Sequence, residues 1–205
     1  MENKEEKKLL RQKMCQARLA LSTHAKEDAA KKLCKIIINS QIFQQAQHLA
    51  LYWPYNAEIN PMPILEAAIT LNKYCYLPIL HPKEDDSLLF MPYHNQTTLK
   101  LNKYGIPEPD YNYKQAVPLE KLSIIFMPLV AFDANGHRLG MGGGYYDATL
   151  ARIQELSKQP FCLGLAYAIQ EVAMIPQDHW DVKLDGVATE IECRVFNKNP
   201  QLPSL

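Results

Sequence analysis

No apolar run in this 205-residue chain approaches the ~18 residues needed to span a bilayer. The start, Met1-Glu2-Asn3-Lys4-Glu5-Glu6-Lys7-Lys8, is charged and lacks the apolar core of a secretion signal. Charge imbalance is missing too: 22 Lys and Arg offset 22 Asp and Glu. That argues against a bulk electrostatic partner such as nucleic acid or an anionic membrane surface. Cysteine is sparse, five residues (15, 34, 75, 162 and 193), odd in number and without a Cys-x-x-Cys pair. This pattern disfavours a disulfide framework or zinc site and fits reduced thiols in a cytoplasmic protein, mostly small core residues. Six histidines show no His-Glu-x-x-His spacing. Ser123 and Ser157 lack a nucleophile-elbow context, so hydrolase chemistry has little support.

Glycine is scarce as well, and its distribution is informative. Four of the eight glycines fall within Arg138-Leu139-Gly140-Met141-Gly142-Gly143-Gly144-Tyr145-Tyr146-Asp147. Three consecutive glycines permit positive φ and let a ligand approach the main chain closely. An apolar segment, Leu122 to Phe132, precedes the loop, and a helical pattern, Ala148 to Ile153, follows it. Strand, glycine loop and helix start together present N–H groups and a positive dipole end to an anion. Arg138 adds a fixed cation, and Asp147 a hard oxygen that could hold Mg²⁺ beside phosphates. A glycine-rich turn with two core tyrosines is the plainer alternative. No Lys-Ser or Lys-Thr follows, which excludes a P-loop, and the late position is wrong for a dinucleotide fingerprint.

Periodicity predicts alternating helices and strands. Residues 3–21 make an amphipathic helix with Leu10, Met14, Ala17 and Leu21 along one stripe, and Ser22 or Thr23 caps a second helix. Strands are expected at His48–Trp53, Tyr74–Ile79, Ser123–Met127, Phe161–Tyr167 and Gly186–Ile191, with a helix from Pro61 to about Asn72. Leu88 to Leu101 reads as an antiparallel hairpin around His94-Asn95-Gln96, and the proline-bearing 102–118 as an irregular surface segment. The expected architecture is α/β: one three-layer domain over 1–197, a mixed, mostly parallel sheet covered on both faces by helices, and a short fraying tail, 198–205.

Other segments join the loop in a larger pattern. These are the basic helix Lys7-Lys8-Leu9-Leu10-Arg11, the Trp-Pro-x-x-x-Glu segment Trp53 to Glu58, Ile125 to Asp133, and a Pro-x-x-His-Trp-Asp-x-x-Leu-Asp tail, Pro176 to Asp185. In order and spacing they resemble the 5-formyltetrahydrofolate cyclo-ligases, or 5,10-methenyltetrahydrofolate synthetases, along nearly the whole chain. The loop departs from some members, which carry additional cations where this chain has Met141 and Gly143.

The resemblance implies a fold like that of sugar-phosphate isomerases and CoA transferases. It also implies ATP-driven closure of 5-formyltetrahydrofolate to 5,10-methenyltetrahydrofolate, with release of ADP and phosphate. Lys7 and Arg11 share a helical face, which by itself fits a solvated surface; the resemblance makes them ATP contacts with Arg138 and the stretch Leu139, Gly140, Met141, Gly142, Gly143, Gly144, Tyr145 and Tyr146. Trp53 and Glu58, with the Met141–Tyr145 stretch, would contact the folate; a core tryptophan and a surface glutamate are the plainer readings. Asp147 and Asp185 would hold Mg²⁺, although spacing alone makes Asp185 a turn residue. Arg138, Tyr145 and Asp147 are the expected catalytic set. His179 and Asp181 look like an acid–base pair but are expected to be structural. A monomer acting on small molecules is expected. The competing classes are an ATP-independent isomerase or CoA transferase, and a non-catalytic nucleotide- or folate-binding protein.

Overall fold

The computed structural model describes residues 2–82, 87–178 and 181–196. The chain opens with α1 (Glu2–Ala20), α2 (Thr23–Asn39) and α3 (Gln41–Gln45), followed by β1 (His48–Ala50), α4 (Met62–Thr70) and β2 (Tyr74–Leu80). Next come β3 (Leu88–Tyr93), β4 (Leu99–Leu101), β5 (Pro107–Pro109), β6 (Ile124–Pro128), β7 (Ala131–Phe132) and β8 (Arg138–Leu139). The chain continues through α5 (Tyr145–Gln154), β9 (Phe161–Leu165), β10 (Gly186–Ala188) and β11 (Cys193–Val195). Ser22 caps α2 as expected, its hydroxyl accepting the Ala25 N–H at 3.1 Å.

Seven strands form one sheet in the order β11-β10-β9-β6-β1-β2-β3. The inner pairings are parallel and only the two outermost, β10 with β11 and β2 with β3, are antiparallel. Side-chain alternation assigns the faces. Ile124 and Phe126 of β6, with Phe161, Leu163 and Leu165 of β9, pack against Leu33 and Ile37 of α2, Phe43 of α3 and Leu65 of α4. Ile125, Met127 and Cys162 point the other way, onto Leu150 and Ile153 of α5. Gly164 belongs to this second face. A Cβ there would stand 2.6 Å from Leu129 Cδ2, so glycine is required by crowding. The expected three-layer α/β sheet is therefore observed.

Two local expectations need correction. Residues 88–101 are not a hairpin: β3 pairs with β2, while β4 pairs with β5 in a separate ribbon. Both strands of that ribbon are short, so their pairing has no long alternating run to betray it. Residues 102–118, expected to be mostly irregular, contain β5 and one 3₁₀ turn, Tyr113–Gln115, with a second, Leu119–Lys121, just beyond. A further ribbon of β7 and β8 was not anticipated. Buried Asp133 ties its turn by accepting N–H groups of Asn135, His137 and Ile175, and His137 Nδ1 lies 2.8 Å from its carboxylate. Burial alone would raise the Asp133 carboxyl, but these hydrogen bonds outweigh it and hold it below the ordinary value. The helix α1 seats Met14 against Val130, Ala131 and Leu139 of this ribbon. The expected tail, 198–205, and His179 lie outside the described residues.

All five cysteines are free thiols. Burial pushes Cys75 up to about 12 and Cys193 up to about 11, which makes both poor nucleophiles at neutral pH. Among the described residues, no helix is long and apolar enough to cross a membrane.

Candidate functional site

The chain runs from β1 to β3 towards one edge of the sheet, then returns so that β6, β9, β10 and β11 fill the other side. The reversal lies between β1 and β6, and ligands of open α/β sheets bind outside the carboxyl ends of the strands at such a point. A cleft of about 370 Å³ opens there. Its floor is made by residues at or just past strand ends: Tyr52 and Trp53 after β1, Pro78 and Leu80 of β2, and Pro128 and Leu129 at the end of β6.

One wall is the glycine loop. Gly140 to Asp147 all line the cleft, together with Arg138. Gly142 (φ 98°) and Gly144 (φ 77°) occupy left-handed backbone, and Gly144 caps α5. Any other residue at either position would be strained. The first N–H groups of α5 have no intrahelical acceptors and remain available as donors at this end. Arg138 is buried and donates to Asp147 Oδ1 at 2.6 Å and to the Val182 carbonyl at 3.2 Å. The Asp147 side chain is 42% exposed against 4% for Arg138, so the carboxylate stands at the water-facing side of the pair. Leu139, by contrast, is buried in the core beside Met14 and does not line the cleft.

A second wall comes from the segment after β1, where Trp53 and Glu58 are half-buried. Glu58 follows a turn in which Asn56 (φ 48°) and Ala57 (φ 57°) are left-handed, and its Oε2 accepts the Tyr55 N–H at 3.0 Å. Burial pushes its carboxyl up to about 7, although the Tyr55 N–H and the Arg18 charge both pull it down. Trp53 lines the cleft while packing on the core. Tyr52 passes beneath, its hydroxyl donating to the Ile59 carbonyl at 2.7 Å.

Lys7, Arg11 and Asp185 do not line the cleft. Arg11 still reaches the loop from α1: its Nε donates to the Gly140 carbonyl at 2.8 Å, and its guanidinium lies 3.5 Å from where a Gly142 Cβ would be. Lys7 is buried and donates to Asp178 and Asp181, each at 2.7 Å. Burial alone would lower its pKa, but the two carboxylates together outweigh it and raise it. Asp181 thereby has a structural partner. The Asp185 carboxylate accepts the Cys162 N–H at 2.8 Å. Among the described residues, no three His, Cys, Asp or Glu side chains gather in a ready cation cage.

The ribbon of β4 and β5 adds residues that sequence reasoning passed over. Tyr104 meets Tyr145 edge-on, ring centres 6.2 Å apart and hydroxyls 2.9 Å apart, and this hydrogen bond raises the Tyr145 pKa. Buried Glu108 accepts the Leu80 N–H at 2.9 Å and the Asn102 amide at 2.8 Å, fastening the ribbon to β2. Asn102 Oδ1 also accepts the Tyr104 N–H at 2.8 Å, and Gly105 follows at φ 76°. An Asn-x-x-Gly turn was the available signal.

Relatives carry the same architecture. The solved structure of Aquifex aeolicus 5,10-methenyltetrahydrofolate synthetase superposes with a TM-score of 0.81 at 29% identity, covering 97% of this chain and 96% of that one. The 5-formyltetrahydrofolate cyclo-ligase of Haemophilus influenzae is 39% identical over 182 residues, 89% of this chain and 96% of the relative. That of Escherichia coli K12 is 35% identical over 174 residues, 85% and 94% of the two chains. The model of the 5-formyltetrahydrofolate cyclo-ligase family matches residues 3–190, a span that takes in both walls of the cleft and α1 from its second residue, and the chain belongs to that family.

Proposed function

We propose that this chain uses ATP to cyclise 5-formyltetrahydrofolate to 5,10-methenyltetrahydrofolate, releasing ADP and phosphate. One observation carries the reading beyond family membership: a single cleft joins the glycine loop to a wall bearing half-buried Glu58 and Trp53. An enzyme that phosphorylates a folate needs both ligands within bonding distance, and one cleft at the strand ends allows it.

The N5 formyl group is an amide, with a poorly electrophilic carbon and an oxygen that leaves badly. Its oxygen attacks the γ-phosphorus; the new O–P bond forms as the bond to ADP breaks and its electron pair departs with ADP. N10 then attacks the activated carbon, the C–O bond breaks, and the oxygen leaves with phosphate. The N10 proton is lost, which balances as hydrogen phosphate plus the methenyl cation. The protein's work is alignment and charge neutralisation. In this reading Arg138, Arg11 and the Gly142–Gly144 main chain take the phosphates, with Lys7 supporting α1 at the loop. Glu58 accepts hydrogen bonds from the donor-rich pterin and Trp53 stacks on it.

Mg²⁺ belongs to the same proposal. Asp147 fits a hard cation, since it offers carboxylate oxygens on the cleft wall beside loop amides. Asp185 would be the second carboxylate, and the ion would neutralise polyphosphate charge. A monomer in the cytoplasm completes the reading, supported by five free thiols. The test mixes protein with 5-formyltetrahydrofolate, with and without MgATP, and follows methenyl absorbance. Product is expected only with MgATP; product without ATP, or none with it, overturns the reading.

A further inference from the structure

Among the described residues, two buried side-chain polar atoms make no hydrogen bond: Arg18 Nε and Tyr146 Oη. Only Tyr146 also lines the cleft. Its neighbour differs, because the Tyr145 hydroxyl is already met by Tyr104. The Tyr146 ring packs against the core beneath the loop, so the hydroxyl is held in place by its ring. Glu58 and Arg138 line the same cleft as Tyr146. A phenol carries its proton at neutral pH, so the hydroxyl is available as a donor. A preorganised, buried donor, left unpaired by the protein, is suited to an oxygen that gains charge during reaction.

We propose that Tyr146 is a catalytic residue, its hydroxyl donating a hydrogen bond to the oxygen that passes from the formyl carbon to the phosphoryl group. The inference rests on the ligase reading above. When N10 has attacked and the C–O bond breaks, the electron pair stays on that oxygen as phosphate departs. Tyr146 stabilises the charge growing there and keeps its own proton throughout, so it is regenerated without a further step.

Tyr146→Phe tests this without risking the fold. Removing an unsatisfied hydroxyl from a buried site leaves stability unchanged or improves it, so the melting temperature should hold or rise. At saturating MgATP and folate, kcat should fall on the order of a hundredfold to a thousandfold, the range seen when one oxyanion donor is lost. Dissociation constants for both ligands should stay within about threefold, since the contact strengthens only as charge develops. A kcat within twofold of wild type overturns the proposal. So does a loss that saturating ATP restores, which would make the hydroxyl a nucleotide contact, or a fall in melting temperature with both affinities, which would make it structural. Failure of the wild-type chain to form methenyl product sinks the ligase reading and this proposal together; normal wild-type turnover with an undisturbed Tyr146→Phe variant sinks this proposal alone.

Discussion

The two walls of the cleft solve opposite electrostatic problems. The glycine wall keeps its charges paired and near water: Arg138 is bound to Asp147, whose carboxylate is substantially exposed. The other wall half-buries Glu58 and gives it one backbone N–H, and that desolvation pushes its carboxyl up to about 7. Ready-made N–H groups and a half-solvated ion pair suit a polyphosphate that arrives with its own cation. A half-buried, ring-lined surface with one hungry acceptor suits a flat heterocycle. The lesson is that a two-substrate site can be divided by hydration as much as by residue type.

The comparison breaks most visibly at Asp147. Asp147→Asn keeps the shape but removes a hard ligand and the partner of a buried guanidinium. Activity should fall on the order of a hundredfold or more, and the Mg²⁺ concentration required should rise, read by metal titration of the rate. If Asp185 shares the ion, Asp185→Asn should move the same titration, and the double variant should lose little beyond the worse single one. An Asp185→Asn variant with unchanged metal demand would confine Asp185 to its Cys162 N–H bond.

Arg138→Ala comes next. Loss of one charge-assisted phosphate contact is worth about 2–3 kcal/mol, tens to a hundredfold in ATP affinity by calorimetry. Folate binding should change little, because Glu58 lies on the other wall. A parallel loss of both affinities would erase the division between the walls.

Glu58→Gln probes the other side. Folate KM should rise roughly tenfold, with the ATP dissociation constant unaffected. In the wild type, folate affinity should weaken as pH falls below about 7, and the variant should lack this limb. The stability sign is opposite. The folded carboxyl sits at about 7 against an ordinary 4.5, so its stabilisation is present below 4.5 and lost as pH rises through about 7. Glu58→Gln should therefore melt higher than wild type at pH 8 and close to it at pH 4.

The smallest effect is expected at Asp181. Asp181→Asn removes one of two Lys7 contacts and leaves Asp178 in place. A loss of about 1 kcal/mol lowers the melting temperature by roughly 2–4 °C in a chain of this size. Metal demand should not move.

The glycine wall was legible in the sequence because its parts are contiguous. Gly140 through Asp147 occupy one short stretch, and only Arg11 had to be brought from elsewhere. The rest of the cleft was legible only in part. Glu58 and Trp53 lie in a recognisable segment, but Tyr104, Asn102 and Glu108 arrive on a ribbon whose strands are too short to show alternation. For β6 and β9, continuous apolar runs marked buried strands, whereas the β7–β8 ribbon has two residues per strand and is held by Asp133. Tyr146 is the sharpest instance. Composition placed it in the loop, but that its hydroxyl goes unmet depends on what surrounds it in three dimensions.

The attachment of α1 carries a consequence for how the protein is made. Three of its polar anchors are distant in sequence: Arg18 holds Leu129, 111 residues away, Arg11 holds Gly140, 129 away, and Lys7 holds Asp178, 171 away. A chain emerging from the ribosome at roughly 5–20 residues per second therefore presents its first helix for many seconds before any anchor exists. Throughout that interval the apolar stripe around Met14 has no ribbon to cover it, and the guanidinium of Arg18 stays in water. This helix docks only once those distant segments exist, so the glycine wall gains Arg11 only after Gly140 has been made.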